Sequence, residues 1–494
     1  MAFIPKCMST QHPDNAFVPT YATDGVIKGD GEITEAVEVF NLGCDEQMWD
    51  SEGKEADNQV VQKLLSAHSD FFKSQHHLGK DSALTLRVPN PAIETEMRKS
   101  TVEALQGIPK AWDMASEFYG NDTDPPIQEV ILPFTTSAQE LALLDVYYQK
   151  FVVGQENQEL LDSMVVKDWI GEFFPKRIRI IPLIEDLEHL TGSDLIVSDY
   201  LEDLSKRGVQ VDYQRVFLAR SDPALNYGAV SAEMMIKIAL SKLSKLQERL
   251  GLPIYPIIGA GSVPFRGHLS PLNVNRAFRE YPSAQTFTVQ SAFKFDHPQA
   301  VVQSGIQQIL SHERTEAPEI DELKAQGIIK KIAARYNQQV RDLIDVIGEV
   351  STKIPKRRER KLHVGLFGYG RTLAGAEDVT LPRAIGFAAS MYSIGAPPEL
   401  LGLDVLNSED LSFIRSVYPS FDEDMASSIS FMNEDQVIEL LGEETAKIAY
   451  ELGNGVDRIH QGLTTAIWAG VKNKSRVNIT DYIEEAAQLR RFLG

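Results

Sequence analysis

Cysteine is nearly missing from this chain. Only Cys7 and Cys44 occur in 494 residues, and neither sits in a CxxC pair or a Cys/His cluster, which excludes zinc fingers and a disulfide framework. So little cysteine suits a reducing cytoplasm, and the start lacks the charged and apolar regions of a secretion signal. Long apolar runs are missing too. The most apolar window, residues 384–396 (AIGFAASMYSIGA), stops at Pro397-Pro398 and is too short for a bilayer, so it predicts a buried helix and no membrane partner. Positive charge is scarce: the formal net charge is −21, so the surface as a whole should repel nucleic acid and anionic membranes. One basic run, Lys356-Arg357-Arg358-Glu359-Arg360-Lys361, stands against this. It has no interleaved aromatics and reads as a solvated loop between a helix and a strand. Neither glycine-rich stretch completes a dinucleotide motif: after Gly368 and Gly370 the third glycine falls at Gly375, and GAGSVP puts Pro264 where that glycine belongs. No Walker A motif occurs.

What is there is a soluble globular chain, 43% apolar and 24% charged, without repeats or a Gly/Ser linker. Short β-rich apolar runs recur at 84–88, 129–134, 177–184, 215–218, 253–258, 286–289 and 362–367, several ending in a polar residue and followed by a helix. The clearest helix, 229–250, carries Ile236, Leu240, Leu243 and Leu250 at helical spacing, with Gly251 at its C-cap. Seven or eight such units over about 300 residues predict an α/β fold, a closed (β/α)8 TIM-type barrel with additional helices. We read residues 1–494 as a single large catalytic domain. The barrel core is expected at about 80–400, and a helical C-terminal region at about 403–494, packed on the barrel or at a subunit interface.

In such a barrel, chemistry sits at the carboxyl ends of the strands. The 177–184 run ends in Glu185-Asp186 and the 215–218 run leads into Ser221-Asp222, so Glu185 and Asp222 should emerge from neighbouring strands. Two carboxylates without a His or Cys partner suit a hard cation, Mg²⁺ or Mn²⁺. Capping of the following helix is the competing reading for Asp186 and Asp222. Arg87, Arg266, Arg371 and Arg383 gather near the same face, a set suited to a multiply charged anion. Near the amino terminus, Ser9-Thr10-Gln11-His12-Pro13-Asp14-Asn15 places a histidine before a proline, where the backbone is held extended.

Taken in order, these pieces resemble the phosphoenolpyruvate carboxylase family, in its short archaeal-type form. IPKCMSTQHPDN is similar to that form's amino-terminal signature. Pro182-Leu183-Ile184-Glu185 resembles the family's metal strand and Leu218-Ala219-Arg220-Ser221-Asp222 its second metal segment. GAGSVPFRGHLSP resembles the glycine loop, with Arg266 on its second arginine. TVQSAFKFD matches a later segment, and Gly370-Arg371 with Leu381-Pro382-Arg383 looks like the arginine pair beyond it. The chain departs from the longer enzymes at Ala260 and Leu225, where they carry arginine and lysine, and its carboxy-terminal part gives no match to their inhibitory aspartate site.

The resemblance implies that bicarbonate and phosphoenolpyruvate become oxaloacetate and phosphate through carboxyphosphate and an enolate. It implies Mg²⁺ or Mn²⁺ on Glu185 and Asp222, no biotin, and a homotetramer. His12 would be the proton acceptor, on a segment 4–15 folded back over the barrel's carboxyl face. Arg87, Arg266, Arg371 and Arg383 would hold the anions, and His268, Lys294 or Gln290 would supply further substrate contacts. Mobile glycine-rich loops around Arg266 and Arg371 would close the pocket. A metal-dependent aldolase or citrate-lyase-like barrel, and a non-catalytic helical scaffold, stay open as alternatives at this point.

Overall fold

The computed structural model describes residues 3–51, 59–120, 123–359, 371–373, 376–473 and 478–494, with the backbone alone for 371–373 and 376–380. Eight parallel strands close into a barrel: β1 (Cys7–Ser9), β2 (Glu46–Asp50), β3 (Ala83–Arg87), β4 (Glu129–Leu132), β5 (Arg179–Ile184), β6 (Gln214–Ala219), β7 (Ile254–Gly259) and β8 (Thr286–Val289). β1 pairs with β2 on one side and β8 on the other, which seals the wall.

The barrel therefore opens at Cys7 rather than near residue 80. Its first strand is three residues long and its second reads EQMWD, so neither shows an apolar run. The segment 4–15 is not an arm folded back from outside: it begins as barrel wall and continues across the mouth. The 362–367 run lies outside the described residues. The helix Ala229–Leu250 forms as its spacing predicts and ends on Gly251 in the left-handed region at φ 61°, where glycine carries no Cβ penalty. The apolar window forms the buried helix Ala384–Ser393.

Alternation along the strands builds the barrel interior in layers. At the floor, Glu46, Glu129 and Arg215 come from β2, β4 and β6. Arg215 donates to Glu46 at 2.8 and 2.7 Å, to Glu129 at 2.6 Å and to Thr286 at 3.1 Å, and Thr85 bonds Glu46. Above it lies an apolar plug of Met8, Met48, Ile131, Ile181, Leu183, Phe217, Ala219 and Ile257, where truncating one large side chain to Ala would cost about 2–5 kcal/mol. The same inward faces then reach the mouth as Thr10, Asp50, Arg87, Glu185 and Gln290.

Within the basic run, Arg357 and Arg358 are not solvated. Arg357 and Arg358 are 6% and 8% exposed. Arg358 pairs with Glu32 and Glu35 at 3.2 and 2.6 Å, and Arg357 donates to the carbonyls of Asn15 and Ala16. Their charge is neutralised inside the fold, which composition cannot reveal. Helices between Ser408 and Arg490 lie against the barrel's loops, joined there by the buried ion pair of Arg276 with Asp424.

Candidate active site

His12 follows β1 on its inward face, two residues beyond Thr10 and four beyond Met8. Its Nδ1 lies 2.9 Å from Thr10 Oγ1. The surrounding backbone is held from several directions. Thr10 N–H donates to Val289 and Ser291 N–H to His12, at 3.0 and 3.3 Å. The Asp296 carboxylate accepts the N–H groups of Ala16 and Phe17, both at 2.8 Å, and Leu493 N–H bonds the Asp14 carbonyl at 2.7 Å. Buried Lys294 reaches Ser9 Oγ, the Thr10 carbonyl and Glu35 at 3.0, 3.0 and 3.1 Å. Burial pushes the Glu35 carboxyl up, but Arg358 and Lys294 outweigh it and hold it down at about 2, so Glu35 stays ionised beneath the segment.

Burial, then the positive fields of Arg266 and Arg87, lower the His12 pKa to about 3, against the opposing carboxylates of Asp50 and Asp222. This places those four charges around one imidazole. Arg87 donates to Asp50 Oδ2 at 3.2 Å, the two being register partners at the ends of β3 and β2. Arg266, 1% exposed, donates to Ser221 Oγ at 2.9 Å, Asp14 Oδ2 at 3.3 Å, the Gly494 carbonyl at 2.9 Å and Gln290 Oε1 at 2.5 Å. Asp14 and Ser221 are thus parts of the arrangement that motif reading passes over, as is Asp50. Asp50 is signalled only by its place, two residues beyond Met48 on the inward face of β2.

Glu185 sits just beyond β5, 8% exposed, and accepts the Phe134 N–H at 3.0 Å. Phe134 adopts φ 51°, a left-handed conformation uncommon for an aromatic residue. Asp186 beside it caps the next helix, accepting from His189 N at 3.0 Å. Asp222 lies in the first turn of Ser221–Tyr227. The strand-end carboxylates therefore divide, Asp186 to capping and Glu185 to the mouth. Among the described residues no group of three or more His, Cys, Asp or Glu side chains forms a metal cluster. The oxygen-only pair Glu185 and Asp222 fits a hard divalent cation that takes its other ligands from water and substrate.

Two other sequence candidates, His268 and Lys294, turn elsewhere. His268 Nδ1 lies 2.6 Å from Asp424 Oδ1, in the ion pair that ties the helical region down. Lys294 is spent on the His12 segment. Arg383 is exposed at the N-cap of Ala384–Ser393, and Arg371 opens the strand Arg371–Leu373 with its side chain outside the described residues. The loop around Arg266 is not loose: Gly261 N–H bonds the Arg266 carbonyl at 2.7 Å and Leu269 N–H the Gly261 carbonyl at 2.9 Å. Gly267 sits at φ 111°, where an added Cβ would lie 2.9 Å from that of Ala260.

The family model described as phosphoenolpyruvate carboxylase matches residues 4–494. This chain belongs to the phosphoenolpyruvate carboxylase family. A curated member from Methanothermobacter thermautotrophicus is 46% identical, covering 99% of this chain and all of that one. Another, from Halobacterium salinarum, is 40% identical across the whole of both. Of solved structures, a Haloferax volcanii malate synthase ternary complex covers 90% of this chain and 98% of its own at 10% identity and a TM-score of 0.39. At that score the likeness adds nothing to the barrel, which rests on its own strand pairing. Membership makes the chain an enzyme of phosphoenolpyruvate carboxylation, with phosphoenolpyruvate and bicarbonate as substrates. Among the described residues no helix is long and apolar enough to cross a membrane.

Proposed function

We propose that the mouth of this barrel carboxylates phosphoenolpyruvate in two stages, with His12 as the proton acceptor. Bicarbonate attacks the phosphorus, giving carboxyphosphate and the enolate of pyruvate. His12 then takes the carboxyphosphate proton, promoting release of CO₂ beside the enolate carbon that attacks it. The observation that carries this reading is His12 itself, on the barrel's inward face and within the fields of Arg87, Arg266, Asp50 and Asp222. In the tautomer whose Nδ1–H donates to Thr10 Oγ1, Nε2 is left as the base. The low pKa is set by burial and the two arginines against Asp50 and Asp222 alone. Substrate phosphate and carboxylate would offset the two arginines and raise the imidazole toward its working range.

Glu185 and Asp222 would hold Mg²⁺ or Mn²⁺, and such a cation supplies charge stabilisation for phosphate and enolate oxygens. Arg266, locked by four partners, acts as a fixed positive charge, while Arg87 at the strand end contacts anion directly. Gln290 keeps the Arg266 guanidinium in plane. Arg371 and Arg383 would add further contacts to the anions. Lys294 and His268 serve as supports, one under the His12 segment and one against Asp424. Keeping water from the enolate prevents its loss as pyruvate.

We also read the chain as one catalytic unit, 1–494, that works as a homotetramer in the cytoplasm without biotin. Exposed Leu161 and Trp169, 77% and 71% accessible, support a subunit contact, and sedimentation equilibrium tests it. For the chemistry, His12→Asn should keep bicarbonate-dependent phosphate release and lower oxaloacetate by about 10²–10⁴-fold. Undiminished oxaloacetate would remove the role given to His12.

A further inference from the structure

The only two cysteines in the chain meet. Cys7 and Cys44, 37 residues apart, bring their sulfurs to 3.7 Å, both essentially fully buried at 0% and 1% exposure. Cys7 opens β1, facing away from the barrel interior, where Met8 points. Cys44 lies in the connection into β2, after Gly43 at φ 106°. The two backbones are already tied beside the thiols: the Asp45 carboxylate accepts the N–H groups of Lys6 and Cys7 at 2.9 and 2.8 Å. Neither thiol takes part in the chemistry at the mouth, yet Cys7 begins the strand that runs directly into Thr10 and His12.

We infer that Cys7 and Cys44 form an oxidisable dithiol whose disulfide cross-links β1 to the connection entering β2 and displaces the His12 segment. With hydrogen peroxide as oxidant, one thiol becomes a sulfenic acid and releases water. The second sulfur then attacks the sulfenic sulfur, forming the S–S bond and releasing a second water. Two thiols lose two protons and two electrons, and the peroxide O–O bond is reduced. Closing the sulfurs from 3.7 Å to about 2.05 Å draws the side chains together and pulls on β1, whose three residues are hydrogen-bonded to β2 and β8. Burial pushes the Cys7 thiol up, so little thiolate forms at neutral pH and oxidation is slow, proceeding through local opening. The effect on rate rests on the role proposed for His12; cross-link formation does not.

The experiment exposes the reduced full chain to millimolar peroxide and maps its thiols after unfolding. The expected result is loss of both thiols, with the Cys7 peptide joined to the Cys44 peptide within one chain and two hydrogens missing by mass. Oxaloacetate formation should fall by several-fold to about a hundredfold, the latter being the cost of about 1 Å of misplacement. Dithiothreitol should restore it. Cys44→Ser, compared with its own untreated sample, should neither cross-link nor lose rate. Two thiols still titratable, separate sulfinic acids, or links between chains would overturn the dithiol. A complete cross-link with an unchanged rate, or an equal loss of rate in Cys44→Ser, would overturn its reach to His12. Whether His12 is the proton acceptor is tested separately on reduced His12→Asn, so the two ideas fail independently.

Discussion

The two ends of the barrel use the same kinds of charge differently. At the floor, Arg215 is bonded to Glu46, Glu129 and Thr286, and both Arg215 and Glu46 are 0% exposed in their side chains. Burial disfavours the Arg215 cation, but the two glutamates outweigh that and raise its pKa. At the mouth, Arg87 and Arg266 instead press on a third group, and His12 is driven to about 3 by burial and their fields. A charge cluster that satisfies itself holds a fold together. One that leaves its field on a neighbour is prepared for a ligand that will offset it.

The largest contrast should come from matched substitutions at the two ends. Glu185→Gln at the mouth is expected to cut oxaloacetate formation by about 10²–10³-fold with an almost unchanged unfolding midpoint. Arg215→Met at the floor should do the reverse, costing about 3–5 kcal/mol of stability by stranding two buried carboxylates. The protein that stays folded should retain its turnover. Coupled malate dehydrogenase assays and urea unfolding on both variants would show whether the division holds. Loosening the pinned segment comes next. Arg357→Met removes the donors to Asn15 and Ala16 and should lower oxaloacetate by about tenfold, a rise of about 1.4 kcal/mol in the barrier, with part of the flux appearing as pyruvate.

Acidity probes the mouth alone. The unfolded chain protonates His12 near the ordinary value of about 6.5, whereas the folded chain holds it neutral down to about 3. The depressed histidine therefore lowers stability progressively as pH falls through that window and has no such effect above it. Urea unfolding of wild type and His12→Asn should diverge in the variant's favour from pH 8 to pH 5. The smallest effect is expected at His268→Gln: about 1–2 kcal/mol of stability from its bond to Asp424, with the KM for phosphoenolpyruvate within about twofold.

Most of the wall was legible because β3 to β8 carry apolar runs. β1 and β2 were not, for a physical reason. β2 crosses from floor to mouth, so its inward face is Glu46, Met48 and Asp50, and no periodic apolar signal survives. The floor cluster joins residues far apart in sequence, and register alone unites them. At the mouth, Glu185, Asp222, Arg87 and Arg266 could be picked out because strand ends are where such residues collect. Asp14 and Asp50 could not, since each matters through its guanidinium partner. Lys294 and His268 look like anion ligands in one dimension, and the fold gives them to Glu35 and Asp424.

One contact has a consequence for synthesis. Asp14 accepts from Leu493, Arg491 donates to the Asp296 carbonyl, and Gly494 accepts from Arg266. A ribosome has released the whole barrel wall once residue 289 emerges, and Ser291, Lys294, Asp296 and Arg357 follow as braces on the His12 stretch, but the last ties arrive with residues 491–494. A product of translation interrupted before residue 491 would thus close its barrel while the His12 stretch lacked the tie from Leu493 to Asp14. Geometry delays the last tie on the histidine segment until residues 491–494 have been made.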